Sequence, residues 1–428
     1  MLRSALGRLH RWLGLGIAGF LFVSGLTGAV ISWDHVLDEL LYPHLLKAAG
    51  TGPAIPSLEL AAAVEARDPR VRVTYVPLAP EPGHALLLGV EPRVDPATGR
   101  LFEPGYNQVF LDPASGAELG RRQWGAAWPI SRETLVSFLY VLHYSLHVPE
   151  IGHIPWGMLL LGVVAMVWTA DCFVGFYITL PVRQVPHPGR AARGWWARWQ
   201  PAWRIKTAGS AFRIAFDVHR AFSLWTWALL FVLAFTAFSL NLYREVFYPV
   251  MSLVSEVTPT PFDLREPVDH EQPIEPRVGF AAVIEAGAAE ASGRGWEEPV
   301  GAAFYSPEFG IYALGFFHPG GDHGQAGVGP ALLYYDGTDG RPLGGRIPWQ
   351  GTAADIFVQA QFPLHSGRIL GLPGRILVSL MGLVVATLSV TGVVVWARKR
   401  RARLLTARLR PAGTAFAPEA RASGRLRP

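Results

Sequence analysis

The sequence predicts a membrane protein: a bundle of four transmembrane helices made from two repeats, each repeat carrying an α+β domain outside the bilayer. Three observations predict it. Four long apolar segments occur, Trp12–Trp33, Trp156–Leu180, Ala221–Tyr243 and Leu372–Trp396, each at least 22 residues long, where about 20 suffice to cross a bilayer. Basic residues crowd alternate ends of these segments. The two halves of the chain also present the same short motifs in the same order. Composition agrees, since only 17% of the 428 residues are charged, against about a quarter in soluble domains.

The first span is preceded by Arg3, Arg8 and Arg11. Its apolar run is longer than the 7–15 residues of a signal-peptide core, so an uncleaved anchor is expected. It contains a literal G-x-G-x-x-G, Gly14 to Gly19. A dinucleotide site needs that motif after a strand, so inside a membrane helix it reads as close packing by small residues. Between spans two and three lie Arg183, Arg190, Arg193, Arg198, Arg204, Lys206 and Arg213, and after span four Arg398, Lys399, Arg400, Arg401 and Arg403. The positive-inside rule then places both termini and the middle loop in the cytoplasm. Two long acidic segments face the other side. The Trp-rich stretch Gly194–Trp203 reads as an amphipathic segment on the inner leaflet. The arginine-rich end reads as a disordered tail.

Each outer segment opens with a helix-like stretch, Leu58–Ala66 and Phe280–Ala289, followed by strand-like runs such as Val71–Val76, Ala85–Val90 and Gly310–Phe317. Asp112 and Gly116 in the first segment match Asp336 and Gly340 in the second, the signature of a turn between two strands. His10-Arg11 opens span one as His219-Arg220 opens span three, and Leu142-His143 precedes span two as Leu364-His365 precedes span four. The expected division is residues 1–33 for the N-terminus and first span, 34–133 for the first outer domain, and 134–181 for an outer helix and second span. Residues 182–218 follow as a basic loop, 219–243 as the third span, 244–371 as the second outer domain, 372–397 as the fourth span and 398–428 as the tail.

At this point the sequence resembles the PepSY-associated transmembrane helix family of bacterial inner-membrane proteins. The carriers are LHRW (Leu9–Trp12), DCFVGFYITLP (Asp171–Pro181), DVHRAF (Asp217–Phe222), PLHSG (Pro363–Gly367) and TGVVVWARKR (Thr391–Arg400). The outer segments resemble PepSY-type α+β domains. The family includes iron-uptake-associated membrane proteins and haem-containing ferric-siderophore reductases. The resemblance therefore implies an inner-membrane oxidoreductase that passes electrons from a quinol or cytoplasmic donor to a periplasmic ferric chelate or siderophore. No nucleic acid is expected as a partner.

The histidines sharpen that implication. His10 and His219 sit at the cytoplasmic ends of their spans, and His143 and His365 at the outer ends, in equivalent repeat positions. Each pair would hold one b-type haem by two imidazoles, giving two haems at different depths. No Cys-x-x-Cys-His occurs and Cys172 is the only cysteine, so covalent haem attachment and cysteine-ligated iron–sulfur clusters are excluded. His147, four residues after His143, would share its helix face as an alternative ligand or a propionate partner. Arg375, and more peripherally Arg368, would pair a haem propionate. His153 reads as a turn residue, and His35, His44, His84, His187 and His270 as solvent-facing. His318 and His323, with Asp322, lie in a glycine-rich loop that could form a weak ligand site. Asp171, inside span two, is either a proton-relay or quinol-site residue or the partner of a neighbouring helix. A different class of function also fits: a membrane-anchored PepSY binding or regulatory module without haem, its histidines merely interfacial. A transporter subunit is a third reading, weakened because no span is broken around a polar midplane cluster.

Overall fold

The computed structural model describes residues 1–152, 154–182 and 193–409. Expectations for His153, His187, Arg183, Arg190 and the tail beyond 409 fall outside the described residues.

The chain begins with α1 (Leu2–Ile31), a helix of 30 residues and hence about 45 Å long. Two short helices, α2 (Asp34–Leu41) and α3 (Pro43–Leu46), lead into α4 (Ser57–Arg67). The strands β1 (Val71–Pro77), β2 (Leu86–Pro92), β3 (Gln108–Leu111) and β4 (Glu118–Arg122) follow. Next come α5 (Leu135–Ser145), α6 (Trp156–Thr179) and α7 (Trp195–Trp199). Two helices on either side of Thr226, α8 (Ala211–Trp225) and α9 (Trp227–Asn241), precede α10 (Tyr248–Val254) and α11 (Phe280–Gly293). The second strand set is β5 (Val300–Ser306), β6 (Ile311–Phe316), β7 (Ala331–Asp336) and β8 (Pro342–Arg346). The chain closes with α12 (Ala353–Ser366) and α13 (Gly371–Leu409).

All eight strands form one antiparallel sheet in the order β4-β3-β2-β1-β5-β6-β7-β8. The join is the antiparallel pairing of β1 with β5, Tyr75 opposite Phe304, Val76 opposite Ala303 and Pro77 opposite Ala302. Arg72, almost fully buried in β1, pairs across the join with Glu275. Each sheet half is covered by one helix because that helix carries an apolar stripe at helical spacing. Leu60, Ala61 and Val64 of α4 pack on Val71, Val73, Leu88 and Val109. Val283 and Ala291 of α11 pack on Tyr305, Leu314 and Leu333. The two Asp-x-x-x-Gly turns join β3 to β4 and β7 to β8. Asp112 accepts from the backbone N–H of Ala114 and Ser115, and Asp336 from that of Thr338.

Among the described residues three helices are long and apolar enough to cross a bilayer, and the number becomes four if the bent pair α8 and α9 is one span. The third span expected at Ala221–Tyr243 is therefore not a straight helix, and the expectation that no span is broken does not hold for it. It turns by 75° at Thr226. The hydroxyl of Thr226 donates back to the Phe222 carbonyl at 2.7 Å, a contact that bends helices. The flanking indoles are tied in different places, Trp225 to the Trp203 carbonyl and Trp227 to the Cys172 carbonyl. Trp195 and Trp196 of the Trp-rich stretch are exposed while Trp199 is buried, so it presents one covered and one open face.

The close packing expected of Gly14–Gly19 occurs elsewhere. A side chain at Gly14, Gly16 or Gly19 would meet nothing within 4 Å. The tight crossing of α1 with α13 is at Gly25 and Gly382: a Cβ on Gly25 would stand 2.7 Å from the Gly382 carbonyl oxygen, and one on Gly382 would stand 2.4 Å from that of Gly25.

Candidate functional site

The helices bring His10, His219, His143 and His365 together in two pairs. His10 of α1 faces His219 of α8 with ring centroids 6.2 Å apart. His143 of α5 faces His365 of α12 at 6.0 Å. Ser24 and Thr27, which hold His143, lie 14 and 17 residues beyond His10 on α1, so the pairs are separated by roughly 20–25 Å along that helix.

In every one of these imidazoles Nδ1 is already engaged. His143 Nδ1 lies 2.9 Å from the Ser24 carbonyl and 3.1 Å from the Thr27 hydroxyl. His219 Nδ1 lies 3.0 Å from the Leu388 carbonyl and 3.1 Å from the Thr391 hydroxyl. His365 Nδ1 lies 3.0 Å from the Thr236 hydroxyl, and the ring also bonds the Leu233 carbonyl. The arrangement repeats three times: a threonine and the carbonyl three residues before it. Each threonine spends its own proton on its own helix, Thr27 on Val23, Thr236 on Val232 and Thr391 on Thr387. Carbonyl and hydroxyl are thus both acceptors, and Nδ1 must carry the proton. Nε2 is left with the lone pair, the form in which imidazole binds a metal.

His10 departs from this pattern. Its Nδ1 lies 3.0 and 2.9 Å from the two carboxylate oxygens of Asp171 on α6. Asp171 is buried. The neighbouring-helix partnership weighed for Asp171 is the one it makes here.

Glycines on facing helices make room for three of the rings. A Cβ on Gly28 would meet His143 Cε1 at 2.8 Å, one on Gly392 would meet His219 Cε1 at 3.2 Å, and one on Gly175 would meet His10 Cε1 at 3.6 Å.

His143 and His365 line a cavity of about 350 Å³ between α1, α5, α6, α9, α12 and α13, within the size range of cofactor pockets. Its walls are apolar, with Leu21, Leu161, Trp168, Leu233 and Val385 among them. Polar side chains also line it: Asp34, Tyr140, Tyr144, Asn241 and Arg368. Arg368 lies 3.7 Å from Asp34 Oδ1, an oxygen that is buried with no hydrogen-bond partner among the described residues.

His147 stands apart. The helix α5 ends at Ser145, and Leu146 and His147 take left-handed backbone conformations with φ of 56° and 53°, so the expected shared face with His143 is lost. His147 stacks on Phe138 and donates from Nε2 to the Phe138 carbonyl at 2.9 Å. Arg375 is held by the Ser32 carbonyl, 2.9 Å from its Nε, and lies over the Trp33 ring. Of the two arginines, Arg368 is the one that lines the cavity. Beyond it His35 and His323, read from sequence as solvent-facing and loop residues, meet with ring centroids 5.1 Å apart and planes tilted by 58°, and burial holds the His323 imidazole below its usual range.

Sequence reasoning missed Thr27, Thr236, Thr391, Tyr140 and Asp34. A signal existed for two of them: Thr27 and Thr236 each follow their repeat histidine, His10 and His219, by seventeen residues.

Among known proteins, the model of the PepSY-associated TM region family matches residues 7–399. No curated protein matches the chain. A family match of that extent, over helices of spanning length and composition, makes this a membrane protein whose helices contact the lipid bilayer.

Proposed function

We propose that this chain, which belongs to the PepSY-associated TM region family, is a haem b protein of the bacterial inner membrane. It passes electrons outward from a quinol or cytoplasmic donor to a periplasmic ferric chelate such as a siderophore. On this reading the bent pair α8–α9 is one span and the bundle is four helices from two repeats. The termini are cytoplasmic and the sheet periplasmic, as the basic flanks favour.

The observation that carries the reading is the pair of histidine pairs. A metal–imidazole bond is about 2 Å; with about 1 Å more from nitrogen to ring centre, two imidazoles on opposite sides of one metal have centroids about 6 Å apart. The centroid separations of 6.2 and 6.0 Å suit that spacing. Among the described residues no group of three or more His, Cys, Asp or Glu side chains is placed to hold a bare metal ion. A haem brings four ligands of its own and asks the protein for two. The apolar cavity with a few polar side chains likewise suits a flat apolar group bearing two carboxylates, and Arg368, which lines it, would be a cationic partner for one of them.

A bound haem supplies a one-electron couple. The chain's own residues do the rest. Thr27, Thr236 and Thr391 fix the histidine tautomers and ring planes. Leu21, Leu161, Trp168, Leu233 and Val385 keep the cavity apolar.

The test is an absorption spectrum of detergent-purified protein, oxidised and dithionite-reduced, with a haem count per chain. Two b-type haems are expected, and His10→Ala and His365→Ala should each remove a different one. A protein expressed with ample haem that shows no Soret band overturns the reading in favour of a haem-free PepSY binding module.

A further inference from the structure

Three of the four paired imidazoles rest on neutral acceptors, and one rests on a buried carboxylate. We propose that Asp171 makes the His10–His219 pair the lower-potential site, so that an electron entering there runs downhill to the His143–His365 pair. The proposal deepens the haem reading and rests on it.

A carboxylate accepting the Nδ1–H of an axial imidazole draws that proton toward itself and makes Nε2 a stronger donor to the metal. Its negative charge also favours the more positive, ferric state of the iron. Both effects lower the reduction potential. Charge acts strongly here because Asp171 is only 7% exposed and buried charges are weakly screened. The His143–His365 site has only neutral partners on its imidazoles: Ser24, Thr27, Thr236 and Leu233. The other member of the carboxylate-bearing pair, His219, also has neutral partners, Leu388 and Thr391. Among the groups bonded to the four imidazoles, Asp171 is therefore what distinguishes the two sites; the Asp34 carboxylate that lines the outer cavity is paired with Arg368 instead. The transfer it favours moves one electron. With haem bound, the iron at His10–His219 would be oxidised as the iron at His143–His365 is reduced, with no proton needing to move.

This gives Asp171 a positioning and tuning role. It stands where a fourth threonine–carbonyl cradle would complete the pattern, and the cost of a carboxylate inside the bundle is met by a gain in direction.

The experiment is a potentiometric titration of the purified holoprotein at fixed pH, followed in the reduced α-band. The wild type should show two midpoints. In a His365→Ala background the remaining haem should titrate with the lower one. Asp171→Asn, which keeps the shape and removes the charge, should raise the lower midpoint by about tenfold in the one-electron equilibrium, about 59 mV, and leave the upper in place. Asp171→Thr, which installs the acceptor found at the other sites, should do the same. A lower midpoint that does not move, or two that move together, overturns the proposal. Should Asp171→Asn lose one haem, Asp171→Glu must retain it with a near-native midpoint; loss there too assigns Asp171 to packing and overturns the proposal. A wild-type protein without a Soret band is a separate result, and it overturns the haem reading itself.

Discussion

Gly28, Gly392 and Gly175 offer a graded test, because each faces the Cε1 of a paired histidine at a different distance. Adding a methyl group places carbon 2.8 Å from His143 in Gly28→Ala, 3.2 Å from His219 in Gly392→Ala and 3.6 Å from His10 in Gly175→Ala. Carbon atoms at ease sit about 3.5–4.0 Å apart. Gly175→Ala therefore makes an ordinary contact. It gains the helix propensity of alanine over glycine, about 1 kcal/mol. Gly392→Ala needs a few tenths of an ångström from the His219 ring, which roughly cancels that gain. Gly28→Ala overlaps the ring by well over half an ångström. The ring is pinned by Ser24 and Thr27 of the same helix that carries the new methyl group, so it cannot slide without breaking those bonds. Overpacking of this kind costs about 1–3 kcal/mol, leaving Gly28→Ala net destabilised by about 0–2 kcal/mol after the helix gain.

The assay is a haem count and a melting curve on the same detergent preparations. Gly28→Ala should lose the haem proposed for His143 and His365 and keep the other. Gly175→Ala should keep both and melt at or above the wild-type temperature, with Gly392→Ala between. Equal losses in Gly28→Ala and Gly175→Ala, or two intact haems in Gly28→Ala, would refute the reasoning, since contact distance is what separates them.

Two further expectations concern single side chains. On the haem reading, Arg368→Gln should speed haem loss to excess apomyoglobin, because Arg368 lines the cavity. Arg375→Gln should leave that rate unchanged and cost about 1–2 kcal/mol through the lost Ser32 bond and Trp33 stacking. In the sheet, the Arg70 guanidinium holds Asp68 well below the usual carboxylate range, and the Ser115 backbone N–H does the same for Asp112. Folded values below the unfolded value of about 3.9 mean that the unfolded chain takes up protons first. The stability these groups contribute is full above about pH 5 and drains away as pH falls through about 4 and lower. Sheet unfolding followed by hydrogen exchange should steepen over that window, and Asp68→Asn should flatten its pH dependence; an unchanged slope would count against the assignment.

The pairing of histidines was legible because it rests on repeat offsets, which survive in sequence. So were α4, α11 and both Asp-x-x-x-Gly turns, since local periodicity and turn chemistry fix them. The turn of His147 away from His143 was not legible, because it depends on where α5 stops, and Leu146 carries no mark of a left-handed residue. The 75° bend at Thr226 was hidden inside an unbroken apolar run. The glycine crossing went to Gly25 and Gly382 rather than to the more conspicuous Gly14–Gly19 set, since which face meets a neighbour is settled by partner helices far along the chain. The Asp171–His10 bond spans 161 residues, and nothing local in the sequence announces it.

The seam between β1 and β5 has a mechanical meaning. Alternating-access carriers work by rocking one half of the molecule against the other. Here the halves share one continuous hydrogen-bonded sheet, sewn by the Tyr75–Pro77 and Ala302–Phe304 segments and clasped by Arg72 and Glu275. Any rocking would have to unzip that yoke. On the proposed reading, such a yoked frame would hold two redox stations at a constant separation, which is what tunnelling demands.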